Sequence, residues 1–201
     1  MRIATLTSVA ALALAAAACN RSNETANDLS TEANLAEDVA ANDVLGANAA
    51  TENEAAVALP TDAKGFATAV AASDLYEIES SRLAASKSKS TPIKELAAHL
   101  LTDHQKSTAE LKTLAARVDV MLTPALDAEK QAMLDQLKGA NGAEFDRLFV
   151  EQQKTAHGKA LTLLQSYARG GDTEALKAFA RKTSGVVEGH IEHLNGIGPP
   201  S

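Results

Sequence analysis

Apolar residues recur at helical spacing in four stretches of the chain between residues 61 and 197. Each stretch also carries charged residues on its other side, which is typical of helices that bury one face. The pattern therefore predicts four long helices of about 23–27 residues. The four stripes are Phe66, Val70, Ser73, Glu77, Ser80 and Ala84; Ile93, Leu96, Leu100, His104, Thr108, Leu111, Leu114 and Val118; Phe145, Leu148, Phe149, Gln152, Ala156, Leu163 and Tyr167; and Leu176, Phe179, Ala180, Thr183, Val187, His190, Leu194 and Ile197.

Cap and turn residues give the predicted ends of these helices. Either Thr61 or Asp62 is the predicted N-cap of the first helix, Thr91 of the second and Asp172 of the fourth. The third long helix is predicted over residues 143–168. Because the connections within the first and the last pair are short, the helices of each pair are expected to be antiparallel neighbours.

The long connection, residues 119–142, is predicted to hold one short helix. Thr123 and Pro124 resemble a helix start, and Asn141 with Glu144 resembles a capping box for the third long helix. The predicted fold class is therefore all-α, a four-helix bundle with a short extra helix in the long connection.

One ionisable residue lies on the apolar face of each long helix: Glu77, His104 and His190 within their stripes, and His157 flanking its stripe. Counted from a turn near residue 90, Glu77 and His104 lie at matching depths, at about 13 and 14 residues. His157 and His190 match less closely, at about 14 and 19 residues from a turn near residue 171.

Two interpretations of these four residues stay open. The first is a buried polar network that hydrogen-bonds across the helices and fixes their register. The second is a site for a small ligand or for one transition-metal ion, the ion being held by neutral imidazoles and a carboxylate. Asp103 is a candidate for orienting a neighbouring side chain, and His99 is expected at the surface. A di-iron site is disfavoured, because such bundles use Glu-x-x-His on two helices and no Glu-x-x-His occurs here.

Composition and charge exclude several functional classes. Aromatic residues make up 3% of the chain and there is no Trp, so alanine and leucine supply most of the apolar surface, as suits close-packed helices. Residues 61–201 carry 17 basic and 18 acidic side chains without a basic block, which argues against nucleic-acid binding. There is neither a Gly-x-Ser-x-Gly motif nor a Gly-rich phosphate loop, so an enzymatic role is disfavoured but left open.

The N-terminal region has the features of an export signal. Residues 1–18 combine a basic start with an apolar run and small residues, which predicts a signal peptide. The only cysteine, Cys19, follows a tract that resembles a lipobox, so we expect Cys19 to be acylated and to anchor the protein to a membrane. Residues 20–60 contain one basic and eight acidic side chains and few large apolar ones. Such a segment predicts a disordered acidic tether over residues 19–60, ahead of a bundle domain at 61–197.

Four segments of the chain resemble the bacterial family called domain of unknown function 4142, whose members are described as predicted outer membrane proteins. The segments are residues 71–79, 100–106, 145–157 and 187–190. The resemblance matches the family's acidic residue to Glu77, its Asp-His pair to Asp103 and His104, and its two further histidines to His157 and His190. The resemblance implies a ferritin-like four-helix bundle and a location in the cell envelope, at the outer membrane or its periplasmic face. It implies no reaction.

The sequence thus leads to two functional hypotheses. The first is an exported lipoprotein that carries a non-enzymatic binding or stress-related module with an unknown ligand or protein partner and no cofactor. The second is a metal-binding, ferritin-like redox protein that uses the Glu77, His104, His157 and His190 cluster for one transition-metal ion.

Overall fold

The computed structural model describes residues 58–198, and within them the chain forms five helices and no strand. The helices are α1 (Ala63–Lys87), α2 (Thr91–Ala116), α3 (Ala128–Gly139), α4 (Gly142–Gly170) and α5 (Glu174–Gly196). The predicted signal peptide, Cys19 and the predicted tether as far as residue 57 lie outside the described residues. None of the described helices is long and apolar enough to cross a membrane.

The long helices form a bundle of two helical hairpins, which confirms the predicted fold class. α1 packs chiefly against α2, and α4 packs chiefly against α5. The hairpins meet where α1 lies against α4 and α2 lies against α5, while the short α3 packs on α1 and α4. Each long helix therefore has one face directed toward the middle of the bundle, which is where the stripe residues lie, except that Val118 follows the end of α2 and is exposed.

The structure identifies the N-cap residues of α1 and α2. Asp62 is the N-cap of α1, and its side chain accepts a hydrogen bond of 2.8 Å from the backbone N–H of Gly65. The N-cap of α2 is Ser90 and not Thr91, which is itself the first helical residue. The predicted N-cap is therefore one residue too late. Pro92 does not fix the start to a single residue, because its missing N–H costs no helical hydrogen bond anywhere in the first turn.

The prediction that Asp172 caps α5 is wrong, since Thr173 holds that position. The Asp172 side chain instead accepts hydrogen bonds from the backbone N–H of Ala63 at 3.2 Å and from the Tyr167 hydroxyl at 2.8 Å. Its own backbone N–H donates to the carbonyl of Thr61 at 3.1 Å. The turn between α4 and α5 therefore satisfies one backbone donor (Ala63 N–H) and one backbone acceptor (the Thr61 carbonyl) at the start of α1.

The predicted start of the short helix is also wrong. α3 begins after Asp127, whose carboxylate accepts a 2.8 Å hydrogen bond from the backbone N–H of Lys130, and not at Thr123 and Pro124. A carboxylate that reaches the first free N–H groups makes the stronger start. Asn141 does precede α4, but its side chain makes no cap hydrogen bond, so the predicted capping box does not form.

Two separate apolar clusters fill the bundle, one near each end. The first surrounds Phe66, whose ring stacks on Tyr167 with centroids 3.8 Å apart and meets Phe179 edge-on. The second surrounds the stacked rings of Phe145 and Phe149. Burying a large apolar side chain stabilises a fold by about 1.5–3 kcal/mol, so both ends of the bundle are held firmly.

Along every long helix, the buried residues between these clusters are mostly polar. This middle layer is buried although its side chains carry hydrogen-bonding or ionisable groups. Its members are Asp74, Glu77, Ser80, Ser81, His104, Gln152, Gln153, His157 and His190.

Candidate metal centre

Part of the middle layer is a hydrogen-bond network of the kind that fixes helix register. The Tyr76 hydroxyl donates to the side-chain carbonyl of Gln152 at 2.9 Å, and the Gln152 amide donates to the backbone carbonyl of Met133 at 3.1 Å. The Gln153 amide donates to the Ser80 hydroxyl at 3.0 Å. These bonds join α1, α3 and α4 and satisfy Gln152, while Oε1 of Gln153 is buried without a hydrogen-bond partner.

The rest of the layer is built around His104, His157 and His190, which we call the histidine trio. All three are buried, and one ring nitrogen from each lies within 4.8 Å of those of the other two. His104 comes from α2, His157 from α4 and His190 from α5. The trio therefore crosses from one helical hairpin to the other.

His104 is oriented by α1. Its Nδ1 lies 2.8 Å from Oδ1 of Asp74, which is itself buried, and the Thr108 hydroxyl donates to Oδ2 of Asp74 at 3.1 Å. The other ring nitrogen, Nε2, is buried without a hydrogen-bond partner. A buried polar atom that faces no partner is costly, so this nitrogen needs an explanation.

The other two rings are held in the same manner. Nδ1 of His157 lies 2.9 Å from the backbone carbonyl of Gln153, one turn earlier on α4. Nε2 of His190 lies 3.1 Å from Oδ2 of Asp103. The remaining nitrogens, Nε2 of His157 and Nδ1 of His190, face each other at 3.3 Å.

These partners determine where the ring protons lie. A carboxylate or carbonyl accepts, so the ring nitrogen beside it carries the proton and, in a neutral ring, the opposite nitrogen has a lone pair. We therefore assign Nε2 of His104, Nε2 of His157 and Nδ1 of His190 as the unprotonated nitrogens. Three lone pairs then converge with no N–H between them, an arrangement that a cation would stabilise.

The spacing of the rings fits one shared ion. With metal–nitrogen bonds of about 2.0–2.1 Å, an imidazole centroid lies about 3.2 Å from the metal, so rings at tetrahedral or trigonal angles have centroids about 5.2–5.5 Å apart. The observed centroid distances are 5.7 Å for His104–His157, 5.6 Å for His104–His190 and 5.3 Å for His157–His190. The ring nitrogens, which lie within 4.8 Å of one another, would have to close to about 3.3–3.6 Å to share one ion at these angles.

The fourth predicted site residue, Glu77, lies beside the trio and is not one of the converging groups. Its Oε1 is 3.8 Å from Nδ1 of His157, the nitrogen already bonded to the backbone, and its Oε2 is buried without a hydrogen-bond partner. Burial raises the pKa of Glu77 to about 7, an effect that the charge of His104 only partly offsets. Glu77 is therefore a buried acid next to the trio.

Burial acts differently on the three imidazoles. Burial, together with the charges of His104 and His190, lowers the pKa of His157 to about 3. Burial also lowers the pKa of His190, although its hydrogen bond to Asp103 acts in the opposite direction. Burial works in the same direction on His104, but the hydrogen bond to Asp74 and the charge of Glu77 outweigh it and raise its pKa. Without an ion, an additional proton on the trio therefore belongs to His104.

His157 and His190 lie closer to each other in depth along the bundle than the count of residues from the turn predicts. The turn between α4 and α5 contains three residues outside either helix, positions 171–173. They add to the count but contribute no helical rise, so the two histidines lie nearer in depth than the count suggests.

Sequence reasoning missed Asp74. A signal for it exists, since Asp74 lies one helical turn before Glu77 on the same face of α1. Asp74 and His104 are also equally far from the first turn, at about 15 residues each from position 89. Asp103 was expected as an orienting residue, and it contacts His190. His99 is exposed, as predicted.

The fold and the middle layer together define a helical-bundle domain with a histidine cluster at its centre. The chain belongs to the family described as domain of unknown function 4142, whose model matches residues 48–197. This confirms the resemblance found in the sequence. No curated protein matches the chain.

Two solved structures share the fold. One is CopM in the Ag-bound form, obtained by co-crystallization, with a TM-score of 0.57, and the other is CopM in the Cu(II)-bound form, with a TM-score of 0.56. Each is 18% identical to this chain; the matches cover 67% of this chain and 93% and 94% of the respective CopM chains. The likeness supports the four-helix architecture.

Proposed function

We propose that this domain binds one copper ion at the histidine trio and serves as a metal-binding module of the cell envelope. The observation that carries the proposal is the convergence of three imidazole nitrogens, each opposed across its ring by a hydrogen-bond acceptor. Histidines that bind metals have this second partner almost without exception, because it fixes the tautomer and the ring orientation. A register-fixing network would instead place a donor against each acceptor.

The charges of the middle layer support a cation. Asp74 and Glu77 are both buried there, whereas no lysine or arginine is buried anywhere in residues 58–198. A buried carboxylate is stable only when it is paired or protonated. An ion among the imidazoles would compensate the carboxylates of α1 from inside the layer.

Ligand chemistry favours copper among the transition metals. Imidazole nitrogens suit Zn, Cu, Fe and Ni, and among the divalent ions Cu²⁺ binds such ligands most tightly. CopM, which shares the fold, is known in Ag-bound and Cu(II)-bound forms. Because the trio is buried, a substrate would have poor access to the ion, which favours holding the metal over redox catalysis.

Metal titration of the purified protein tests the proposal. In a chelator-treated sample, copper at about 100 times its dissociation constant should stabilise the fold by about 2.7 kcal/mol. For a domain of this size that corresponds to a rise in melting temperature of about 8–10 °C. His104→Ala and His157→Ala should lose the bound ion and the rise. Gln105→Ala, at an exposed position beside His104, is the matched control and should keep both.

The same titration separates the alternatives. If Cu, Ag, Zn, Fe and Mn all leave the melting temperature unchanged, the trio is a structural network and the proposal is wrong. If Zn binds more tightly than either Cu(I) or Cu(II), the site is a zinc site. In both histidine variants, melting in chelator is compared with that of the wild type, so that loss of the ion is distinguished from loss of the fold.

We also propose that Cys19 carries a lipid that holds the domain at the outer membrane, or at its periplasmic face. The proposal is supported by the lipobox-like tract that precedes Cys19 and by the export signal at residues 1–18. A Cys19→Ser variant should leave the membrane fraction and appear in the soluble periplasmic fraction. Retention of this variant in the membrane fraction would show that another contact holds the protein there.

A further inference from the structure

A second pair of histidines faces the solvent between α2 and α5. The rings of His99 and His193 have centroids 6.0 Å apart, with an angle of 59° between their planes. Both residues are exposed. By the geometry used for the buried rings, two imidazoles that share one ion have centroids from about 5.2 Å apart at a tetrahedral angle to about 6.4 Å when linear. The pair falls within that range.

The exposed pair leads to the buried trio along the same two helices. His193 is one turn beyond His190 on α5, and His99 is one turn before Asp103 on α2, so the pair lies about 5–6 Å along the helices from the Asp103–His190 contact. That contact is itself partly open, because the Asp103 side chain is 35% exposed whereas the His190 side chain is 9% exposed. Oxygen and nitrogen ligands thus follow one another from the solvent to His190.

The other approach to the trio is apolar. A void of about 20 Å³ touches His104 on its α1 side, and its walls are mostly aliphatic residues, among them Val70, Leu163 and Val187. A void of that volume holds about one water molecule. An ion that crossed it would pass mostly along aliphatic walls, with oxygen ligands only from Ser73, Asp74 and Thr183, so the loss of its hydration would be poorly compensated. The side between α2 and α5 offers replacement ligands at each step.

We infer that His99 and His193 form a second, solvent-exposed binding site for the same transition-metal ion, from which the ion passes along Asp103 and His190 to the buried trio. This inference rests on the proposed copper site. The exposed site has two protein ligands and the buried site has three, so the exposed site binds more weakly and exchanges faster. An ion held there is close to the trio, which makes the second step intramolecular.

Stoichiometry and loading rate of the full chain test the inference, with Cu(II) as the probe. The wild type should bind one ion tightly and a second weakly. His99→Ala combined with His193→Ala should lose the weak site and load the buried site about ten-fold more slowly, because the local ion concentration falls. The affinity of the buried site should stay within two-fold of the wild type, about 0.4 kcal/mol. His104→Ala should lose the tight ion and keep the weak one.

Gln105→Ala combined with Asn195→Ala, at exposed positions of the same two helices, is the matched control and should load at the wild-type rate. The inference is overturned if the His99 and His193 double variant keeps two ions, or loads the buried site as fast as the wild type. It is also overturned if the control slows loading equally. If the wild type binds no ion at all, the copper site itself is wrong. If the wild type binds one tight ion, which is lost in His104→Ala, and binds no second ion, the copper site stands and the exposed site is wrong.

Discussion

Replacing Asp74 with Asn tests whether the carboxylate of α1 prepares His104 for a metal. Asn keeps the shape of Asp and one carbonyl oxygen, which can still accept from Nδ1 of His104. Its new amide group can donate to the Thr108 hydroxyl, which at present donates to Asp74. The fold and the ring orientation should therefore survive, and the change removes only the negative charge behind the ring.

The size of the effect follows from the contact. The Asp74–His104 hydrogen bond is 2.8 Å long and fully inside the bundle. A buried hydrogen bond to a charged group contributes about 1.5–3 kcal/mol and one between neutral groups about 0.5–1.5 kcal/mol. The difference of about 1–2 kcal/mol corresponds to a loss of roughly five- to thirty-fold in copper affinity. This overlaps the loss of 10–100-fold that is typical when the partner of a metal-binding histidine is changed.

Asp103→Asn is the comparison variant, because Asp103 accepts a hydrogen bond from His190 as Asp74 does from His104, but is more exposed to solvent. Its side chain is 35% exposed, and Lys106 lies 3.5 Å from it. Partial burial opposes ionisation of Asp103, but the hydrogen bond from His190 prevails and lowers its pKa. Solvent weakens such contacts, so we expect a loss of only about two- to three-fold.

The assay is competition for copper against a chromophoric chelator, with the wild type and both variants at the same pH and ionic strength. The reasoning is refuted if Asp74→Asn binds copper within two-fold of the wild type, or if Asp103→Asn loses more affinity than Asp74→Asn. Circular dichroism in chelator confirms that the folds are equal before the affinities are compared.

Three further predictions concern the metal-free protein. The folded pKa of His157 is about 3, well below its unfolded value, so the unfolded state takes up a proton first as the pH falls. The free energy of unfolding therefore decreases below about pH 6.5, by about 2 kcal/mol at pH 5. His157→Leu should reduce this decrease in urea titrations at pH 7 and 5, and an unchanged pH dependence would contradict the prediction. Gly171→Ala would place a methyl group 2.5 Å from the Tyr167 ring and should lower the free energy of unfolding by about 1–3 kcal/mol. In the control Gly170→Ala, the methyl group meets nothing within 4 Å and should stabilise α4 slightly. Equal urea midpoints for the two variants would show that the Tyr167 ring moves aside freely. Tyr76→Phe leaves a buried glutamine carbonyl without its donor and should cost about 1–3 kcal/mol; a loss below 0.5 kcal/mol in urea would mean that water replaces the hydroxyl.

The fold was predictable because its signals are local and repeated. Helical periodicity places the stripes, and short turns at Ser88–Ser90 and at residues 171–173 leave few ways to pair the helices. The main errors concern the helix ends, where neighbouring residues are both suitable as the N-cap. Asp172 illustrates why, since its carboxylate has a partner on α1, far away in sequence. No local pattern contains that information.

The site was predictable only in part. Polar residues on apolar stripes identified the three histidines, but periodicity does not reveal which nitrogen of each ring points inward. That choice depends on Asp74, on the Gln153 carbonyl and on Asp103, which come from three helices. The place of Glu77 beside the trio likewise depends on side-chain packing, which a count of helical turns does not contain.

The division of the ligands between the hairpins has a kinetic consequence. His157 and His190 belong to the α4–α5 hairpin, while His104 and Asp74 belong to the α1–α2 hairpin. A copper ion at the trio would therefore cross-link two halves of the molecule that are otherwise joined by side-chain packing, by hydrogen bonds such as those of Tyr76 with Gln152 and Asp172 with Thr61, and by one connection. With the proposed ion bound, separation of the hairpins would require a metal–ligand bond to break, so release of the ion would limit how fast the bundle opens.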